Sequence, residues 1–295
     1  MSNRYIASVS VIIPVFNDQT GLMKCIKAIS SQSYLPQLLE IIVVDNASTP
    51  SITVESSLDL SIKVICCEKP GSYAARNAGA KAASGDFFAF TDADCWPDKN
   101  WIKFGVAALE LHCGRAFVGG EVEIVEPSGL SAVALYQRST GFGQESNIKE
   151  KKFTGTLNLF CTQELFSAVG GFDERLLSGG DREWSWRAVK RGFSLVYQPD
   201  AVVYTEPRTT LRGAIRQARR ITAGRKMLRE FGLAHVGSQN IAKKKSAWRS
   251  AVWILSRKEL SAVEKVQVFS VALVIRLAES VEGLRLVLGA GAERR

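Results

Sequence analysis

Histidine and paired cysteine are scarce in this 295-residue chain. It has two histidines, His112 and His235, far apart, and six cysteines (Cys25, Cys66, Cys67, Cys95, Cys113 and Cys161), none in a C-x-x-C pair. This excludes the usual zinc-cluster spacings and the disulfide framework of a small secreted domain. The thiols read instead as small hydrophobes packed in a reducing compartment. Long apolar runs are missing too. In the final predicted helix the longest uncharged stretch is Val266 to Ile275, ten residues between Lys265 and Arg276. A membrane span needs about 20. No glycine-rich, lysine-ended loop follows the first apolar run, where Phe16-Asn17-Asp18-Gln19 stands. That argues against a nucleotidyltransferase. Internal repeats and low-complexity tracts are absent as well. The remaining composition, 46% hydrophobic and 23% charged, is that of a folded soluble protein.

The charge is uneven. Residues 1–206 carry 19 basic and 23 acidic side chains, whereas residues 207–295 carry 19 basic and 6 acidic. A slightly acidic body joined to a strongly basic section points to a polyanionic partner for that section. An anionic membrane surface, nucleic acid and a phosphate-bearing ligand are the candidates.

Val9 to Val15 is a continuous run rich in β-branched residues, the mark of a strand covered on both faces. Pro14, Asn17 and Asp18 end it without a small-residue cleavage site, so it reads as a buried first strand, not a signal peptide. Glu40–Asp45, Ile62–Cys66 and Asp86–Thr91 follow as strands. Helical spacing covers Gly21–Ser31 and Ser72–Ala83, with Gly85 as a stop. This alternation predicts right-handed βαβ units and a mostly parallel sheet with helices on both faces. Ligands in such sheets sit beyond the carboxyl ends of the strands. Here those ends are Phe16–Asn17, Asp45–Asn46 and Asp92–Asp94. Further strands are expected at Phe117–Val125, Ser194–Tyr197 and Ala201–Tyr204. After Pro207 the texture changes to basic helices, roughly 208–231, 246–257 and 261–288.

Several residues at these positions bear chemistry. Asp92 and Asp94, at i and i+2 closing a strand, can face one hard divalent cation; a solvated loop is the commoner source of an isolated D-x-D. Asp45 can accept from a base N–H or a ribose hydroxyl, or it can stabilise its own turn. Arg76 can hold a phosphate or pair with an acidic strand end. Asp181 follows Gly179-Gly180 at the start of a helix, where it is a cap or a general base.

Taken together, VSVIIPVFN (9–17), EIIVVDNAS (40–48), GSYAARNAGAKAASGDFFAFTDADC (71–95), VGGFDE (169–174) and GGDREWSWRAVKRG (179–192) resemble family-2 glycosyltransferases of the GT-A fold, over most of residues 8–206. The resemblance implies a non-processive, inverting enzyme that uses a nucleotide-diphosphate sugar, a UDP-sugar foremost. Carried over residue by residue, it puts Pro14, Phe16 and Asn17 along the nucleotide and Asp45 at the base or ribose. Arg76 falls near the phosphates, Asp92 and Asp94 at Mn2+ or Mg2+, and Asp181 at the catalytic base. Glu183 and Arg187 match residues that shape the following helix. The chemistry asks for the same set. A departing diphosphate needs its charge neutralised, and an acceptor hydroxyl needs a carboxylate to take its proton.

Three positions depart from the family pattern. Tyr204 stands where many relatives have a metal-binding histidine, with Glu206 as a conceivable substitute. Gly180 precedes the base in place of glutamate. Gln217-Ala218-Arg219-Arg220-Ile221 lacks the tryptophan of the processive Q-x-x-R-W. A catalytically inactive sugar-nucleotide or membrane-binding scaffold is therefore the alternative reading.

These observations predict a catalytic domain over 1–206 and a basic helical region over 207–295 that serves membrane association or dimerisation. Arginines interleaved with Trp248 and Trp253 suit an anionic membrane interface. No nucleic-acid motif accompanies the charge. The expected location is cytoplasmic, peripheral on the inner face of the cell membrane. A sugar or a lipid-linked molecule would be the acceptor, in envelope assembly, and a homodimer is an option.

Overall fold

The Val9–Val15 run lies at the heart of an eight-stranded sheet. The computed structural model describes residues 7–54, 60–125, 131–233 and 253–291. Val9–Val15 is strand β1, buried throughout except at Pro14. Leu39–Asp45 (β2) runs parallel to it, Val15 facing Asp45. Ser61–Cys66 (β3) continues parallel beyond β2, and Phe87–Phe90 (β4) lies parallel on the other flank of β1. Helices Gln19–Ser30 (α1) and Ser72–Ala82 (α2) make the crossovers. Asp18 caps α1 by accepting the Gly21 N–H at 2.9 Å, and the helix buries Leu22, Cys25, Ile26 and Ile29. The βαβ expectation thus holds in the first half of the chain.

The second half adds antiparallel strands. These are Cys95–Pro97 (β5), Ala116–Ile124 (β6), Leu159–Thr162 (β7) and Ser194–Thr205 (β8), with Trp101–Leu111 (α3) before β6. The sheet order is β3-β2-β1-β4-β7-β6-β8-β5. Strand β7 pairs antiparallel with β4 and β6, and β5 pairs antiparallel with β8. The two strands expected around Pro199-Asp200 are one continuous strand, because the fixed φ of proline is compatible with extended backbone. Elements β5, α3 and β7 were not anticipated. Helices Gln144–Lys151 (α5), Gln163–Val169 (α6) and Gly180–Lys190 (α7) complete the sheet-bearing unit.

The chain divides into two compact units: residues 1–123, 143–175 and 180–205 form the first, and residues 124–142, 176–179 and 206–295 the second. The first holds the main core, with Val11, Ile13, Ile41, Val43, Trp101 and Phe160 fully buried. The second is helical. Ala132–Thr140 (α4), Leu211–Glu230 (α8) and Ala262–Val287 (α9) bury Val133, Ala214, Ala218, Val271 and Ile275 against one another, and Leu135, Ile254, Leu260 and Val268 in a second cluster. Residues 246–252 of the second expected basic helix lie outside the described residues, with Lys243, Lys244, Lys245, Trp248 and Arg249. Among the described residues, no helix is long and apolar enough to cross a membrane. All six cysteines are free, and Cys25, Cys95 and Cys161 are buried.

Candidate active site

Helix α2 gathers the site. After the exposed Ser72 it buries Tyr73, Ala74, Ala75 and the charged Arg76, which is only 4% exposed. A guanidinium is rarely buried unless it is paired. Its partner is Asp92, just beyond β4, which accepts a short hydrogen bond from Arg76 Nη2. Of the two fates open to Arg76 in the sequence, pairing with an acidic strand end is the one observed. One turn back on the same helix, the Tyr73 hydroxyl donates to Asp181 Oδ1 at 3.4 Å. Residues three apart on a helix share a face, so Asp92 and Asp181, 89 positions apart in sequence, are served by one helical surface.

Asp181 stands in the first turn of α7, where its Oδ1 also accepts the Arg182 N–H at 2.8 Å. Burial pushes its carboxyl above the usual aspartate range; the Arg182 N–H and charge, the Arg76 charge and the Tyr73 hydroxyl pull the other way without cancelling it. A partly desolvated carboxylate with a raised pKa suits a base that must hold a proton late in a step. The preceding residue explains one departure from the family pattern. A Cβ at Gly180 would lie 2.7 Å from Cε2 of Tyr73 and 2.8 Å from its Cζ. The Tyr73 ring fills the space that a side chain at 180 would need.

Asp94 is exposed, and its main-chain oxygen accepts from Thr205 Oγ1 at 3.3 Å. Asp92 and Asp94 act electrically on the same two thiols. Burial is the first cause of the raised Cys25 and Cys95 pKa values, and both carboxylates raise them further. The pair offers hard oxygens but is not a complete cage, for the described residues contain no group of three His, Cys, Asp or Glu that could hold a metal. Arg76 Nε is buried and has no acceptor. Two carboxylates beside an unsatisfied guanidinium N–H fit a divalent ion whose remaining ligands are phosphate oxygens and water. Tyr204 faces Trp96 across the β5–β8 ladder, so a phenol, not an imidazole, occupies that position.

The nucleotide-side residues form a second corner, at the ends of β1 and β2. Asp45 is buried and its carboxylate is engaged by its own turn, accepting Ser48 N–H at 2.9 Å and Ile52 N–H at 3.1 Å. Burial raises its pKa, but the hydrogen bonds from Ser48 and Ile52 outweigh that and hold the carboxyl below the usual range. Asn17 has φ +53°, a left-handed conformation that asparagine tolerates. Its N–H donates to Ser48 Oγ at 2.9 Å and its Oδ1 accepts the Thr49 N–H at 2.8 Å, latching the two turns together. Pro14 is half-buried in β1 and Phe16 is 41% exposed. The two corners lie beyond neighbouring strand ends, since β2 and β4 flank β1 and run about 10 Å apart across the sheet. Asn46 links them: its Nδ2 donates to the Cys67 and Lys69 carbonyls, and its Oδ1 accepts the N–H of Gly71, the residue before α2.

Two of the sequence motifs act as clamps on this arrangement. Asn77 of α2 donates to the Phe172 carbonyl at 2.9 Å and to Glu174 Oε1 at 2.8 Å, and accepts from Phe172 N. VGGFDE is thereby tied to α2, and Phe172 packs its ring on Tyr73, Phe90 and Trp184. Glu183 pairs with Arg187 at 2.8 Å, and Arg187 donates to the carbonyls of Val169, Gly170 and Gly171. Sequence reasoning missed Tyr73 and Asn77. The one available hint was the Gly179-Gly180 pair, since a glycine before a candidate base signals close approach by something else.

A parallel β3-β2-β1-β4 half-sheet extended by antiparallel strands, with Asp92 and Asp181 held by one helix, is the GT-A fold. The family model for glycosyl transferase family 2 matches residues 10–164. The chain belongs to that family. It is similar to "Glycosyltransferase AglE" of Haloferax volcanii, at 38% identity over 202 residues, covering 66% of this chain and 65% of the relative. It is also similar to "Pre-mycofactocin glycosyltransferase" of Mycobacterium tuberculosis, at 30% identity over 215 residues, covering 69% of this chain and 44% of the relative. The chain thus spans less than two thirds of the length of either relative. Among solved structures, the mannosyltransferase PcManGT from Pyrobaculum calidifontis in complex with GDP-Man and Mn2+ matches with a TM-score of 0.61 at 19% identity, over 95% of this chain and 88% of that one.

Proposed function

We propose that the protein is a metal-dependent, inverting glycosyltransferase, moving a sugar from a nucleotide-diphosphate sugar to an acceptor hydroxyl in cell-envelope polysaccharide or glycolipid assembly. The carrying observation is that one turn of α2 holds both Asp92, through Arg76, and Asp181, through Tyr73. A transferase of this kind needs an anion site and a base close together, and this helix supports both.

In this reading Asp181 takes the acceptor proton as the hydroxyl oxygen attacks the anomeric carbon opposite the leaving diphosphate. Arg76 turns its unsatisfied Nε–H to a phosphate oxygen. Asp92 and Asp94 hold Mn2+ or Mg2+, which when bound supplies charge neutralisation for the departing diphosphate. Pro14, Phe16, Asn17 and Asp45 line the nucleoside, Asp45 with whatever lone pairs its turn leaves over. The solved mannosyltransferase carries GDP-Man and Mn2+, which supports a nucleotide-sugar donor and a divalent ion; a UDP-sugar remains the foremost donor. Residues 1–206 form the catalytic part. Residues 207–295 form an accessory part that attaches the protein peripherally to the cytoplasmic face of the membrane, near a sugar or lipid-linked acceptor.

The test is donor turnover across a panel of nucleotide-diphosphate sugars with and without Mn2+, for the wild type and Asp181→Asn. The variant is expected to lose at least about a hundredfold in transfer while still binding the nucleotide diphosphate. Undiminished transfer would remove Asp181 as the base. Intact donor throughout the panel, with binding retained, would favour the inactive scaffold.

A further inference from the structure

The segment Thr154-Gly155 lies beside the base and is held from two sides. Gln144, the first residue of α5, is 2% exposed. Its Nε2 donates to the Gly120 carbonyl of β6 at 3.3 Å and to Thr154 Oγ1 at 3.0 Å, and its Oε1 accepts the Gly155 N–H at 3.1 Å. A buried amide is costly unless its polar atoms are paired, and this one spends every bond on the sheet and this segment. From the other side, the Thr154 N–H donates to Ser185 Oγ at 3.3 Å, and that hydroxyl donates to the Asp181 carbonyl at 2.7 Å. Thr154 and Ser185 are fully buried. Hydrogen bonds through Thr154 and Ser185 therefore connect Gln144 to the main chain of Asp181.

Gly155 comes close to the carboxylate itself. A Cβ on this residue would lie 3.9 Å from Asp181 Oδ2. That oxygen accepts no hydrogen bond among the described residues, because the Tyr73 hydroxyl and the Arg182 N–H both go to Oδ1. The backbone does not ask for glycine here: φ −76° and ψ 142° are open to any residue. Packing does not ask for it either. The atom nearest to such a Cβ is the terminal Cδ2 of Leu157, at 2.8 Å, on a half-buried side chain that a rotamer change can move away. Gln144 Oε1, at 3.5 Å, is at ordinary contact distance. What a methyl group would crowd is the space before Oδ2. A general base needs its substrate oxygen within about 2.6–3.2 Å, so that space is where a reacting hydroxyl must stand.

We propose that Gln144 is a positioning residue for sugar transfer: it fixes Thr154-Gly155 as the wall along which the acceptor hydroxyl reaches Asp181 Oδ2. The step it serves is the one above. The acceptor oxygen bonds to the anomeric carbon, the diphosphate leaves with its bonding pair, and the proton passes to Oδ2. Gln144 acts through the segment it holds and touches none of the reacting atoms. The inference rests on Asp181 being the base, and adds what presents an acceptor to it.

The experiment measures transfer and donor hydrolysis together, with the nucleotide sugars of the panel above, Mn2+, and octyl glycosides as hydroxyl acceptors. Gln144→Ala should lower the ratio of transfer to hydrolysis at least about tenfold, because water needs no wall to align it, with the donor KM unchanged. A merely structural role would lower the folded fraction and leave that ratio where it was, since both products come from the same active molecules. Gly155→Ala, which the backbone accepts, should lower the ratio as well and serves if Gln144→Ala does not fold. Hydrogen exchange of the full chain gives a readout that needs no acceptor: the Gly155 amide should exchange at least about tenfold faster in Gln144→Ala, with residues 71–82 unaltered. An unchanged ratio in both variants, or an unchanged Gly155 amide, would overturn the proposal while leaving sugar transfer standing. Wild type that turns over no donor would overturn the transferase reading and this role with it.

Discussion

Helices α2 and α9 break the apolar-inside rule in opposite ways. In α2 a cation, Arg76, is buried at the start of the helix beside a tyrosine, while in α9 a row of leucines is left in solvent and an acid, Glu282, is 2% exposed. The reasons differ. The α2 charge faces an acidic strand end and has a donor to spare, which is the arrangement of a binding site. The α9 acid neutralises two arginines of its own unit, Arg219 and Arg285. A buried charge therefore marks chemistry in one helix and internal neutralisation in the other, and the unused hydrogen-bond capacity tells them apart.

The sharpest way to break this contrast is at the α2 end. Gly180→Glu would drive a side chain into the Tyr73 ring and is expected to destabilise the protein by about 2–3 kcal/mol, read as a lowered Tm. Tyr73→Ala in the same chain should recover part of that loss, because it reopens the space. A glutamate tolerated at 180 without change in Tm would show that the ring does not set the identity of this position.

The α9 end offers an acid test. Hydrogen bonds from Arg285 and Arg219 hold Glu282 down to about 2, despite its burial. A carboxyl depressed in the folded state contributes stability that is present above its unfolded value, about 4.5. That contribution is lost as pH falls toward the folded value. Glu282→Gln is expected to cost roughly 2 kcal/mol at neutral pH, below the figure for a fully buried pair because both arginines are one-third exposed. It should also flatten the decline in stability between about pH 4.5 and 2. An unchanged acid limb would mean that Arg219 and Arg285 do not hold Glu282 ionised in the folded state.

The smallest effect is expected from Tyr73→Phe. The 3.4 Å separation makes a long hydrogen bond, so its loss is worth about 0.5–1 kcal/mol. The hydroxyl favours ionised Asp181, and Arg76 and Arg182 act in the same direction. Removing it raises the Asp181 pKa further, so the acidic limb of kcat/KM should move to higher pH with little change in Tm. A drop in kcat at every pH without a shift of that limb would assign Tyr73 a packing role alone.

Much of the first half of the fold was legible, because β1, β2 and β4 are short continuous apolar runs and buried parallel strands leave that signature. Asp92 and Asp94 were legible as candidates for the same reason: strand ends can be located from the runs that precede them. The ambiguity at Asp45 was also visible, and the structure adds that its turn uses both carboxylate oxygens. What no local pattern disclosed is the contact between Tyr73 and Asp181, which are 108 residues apart. Strands β5 and β7 are three and four residues long, too short to show a period. In α9 the apolar residues occupy two faces, so periodicity registers a helix without saying which face is inside.

From its sequence alone this chain determined its family, its βαβ frame and the identity of the residues able to bear charge chemistry, because backbone preference and hydrophobic alternation act over a few residues and survive any arrangement of the rest. Folding alone decided which charges meet. Whether Arg76 served phosphate or carboxylate, why residue 180 must be small, and which leucines of α9 face water depend on neighbours from distant segments, and only packing in three dimensions supplies them.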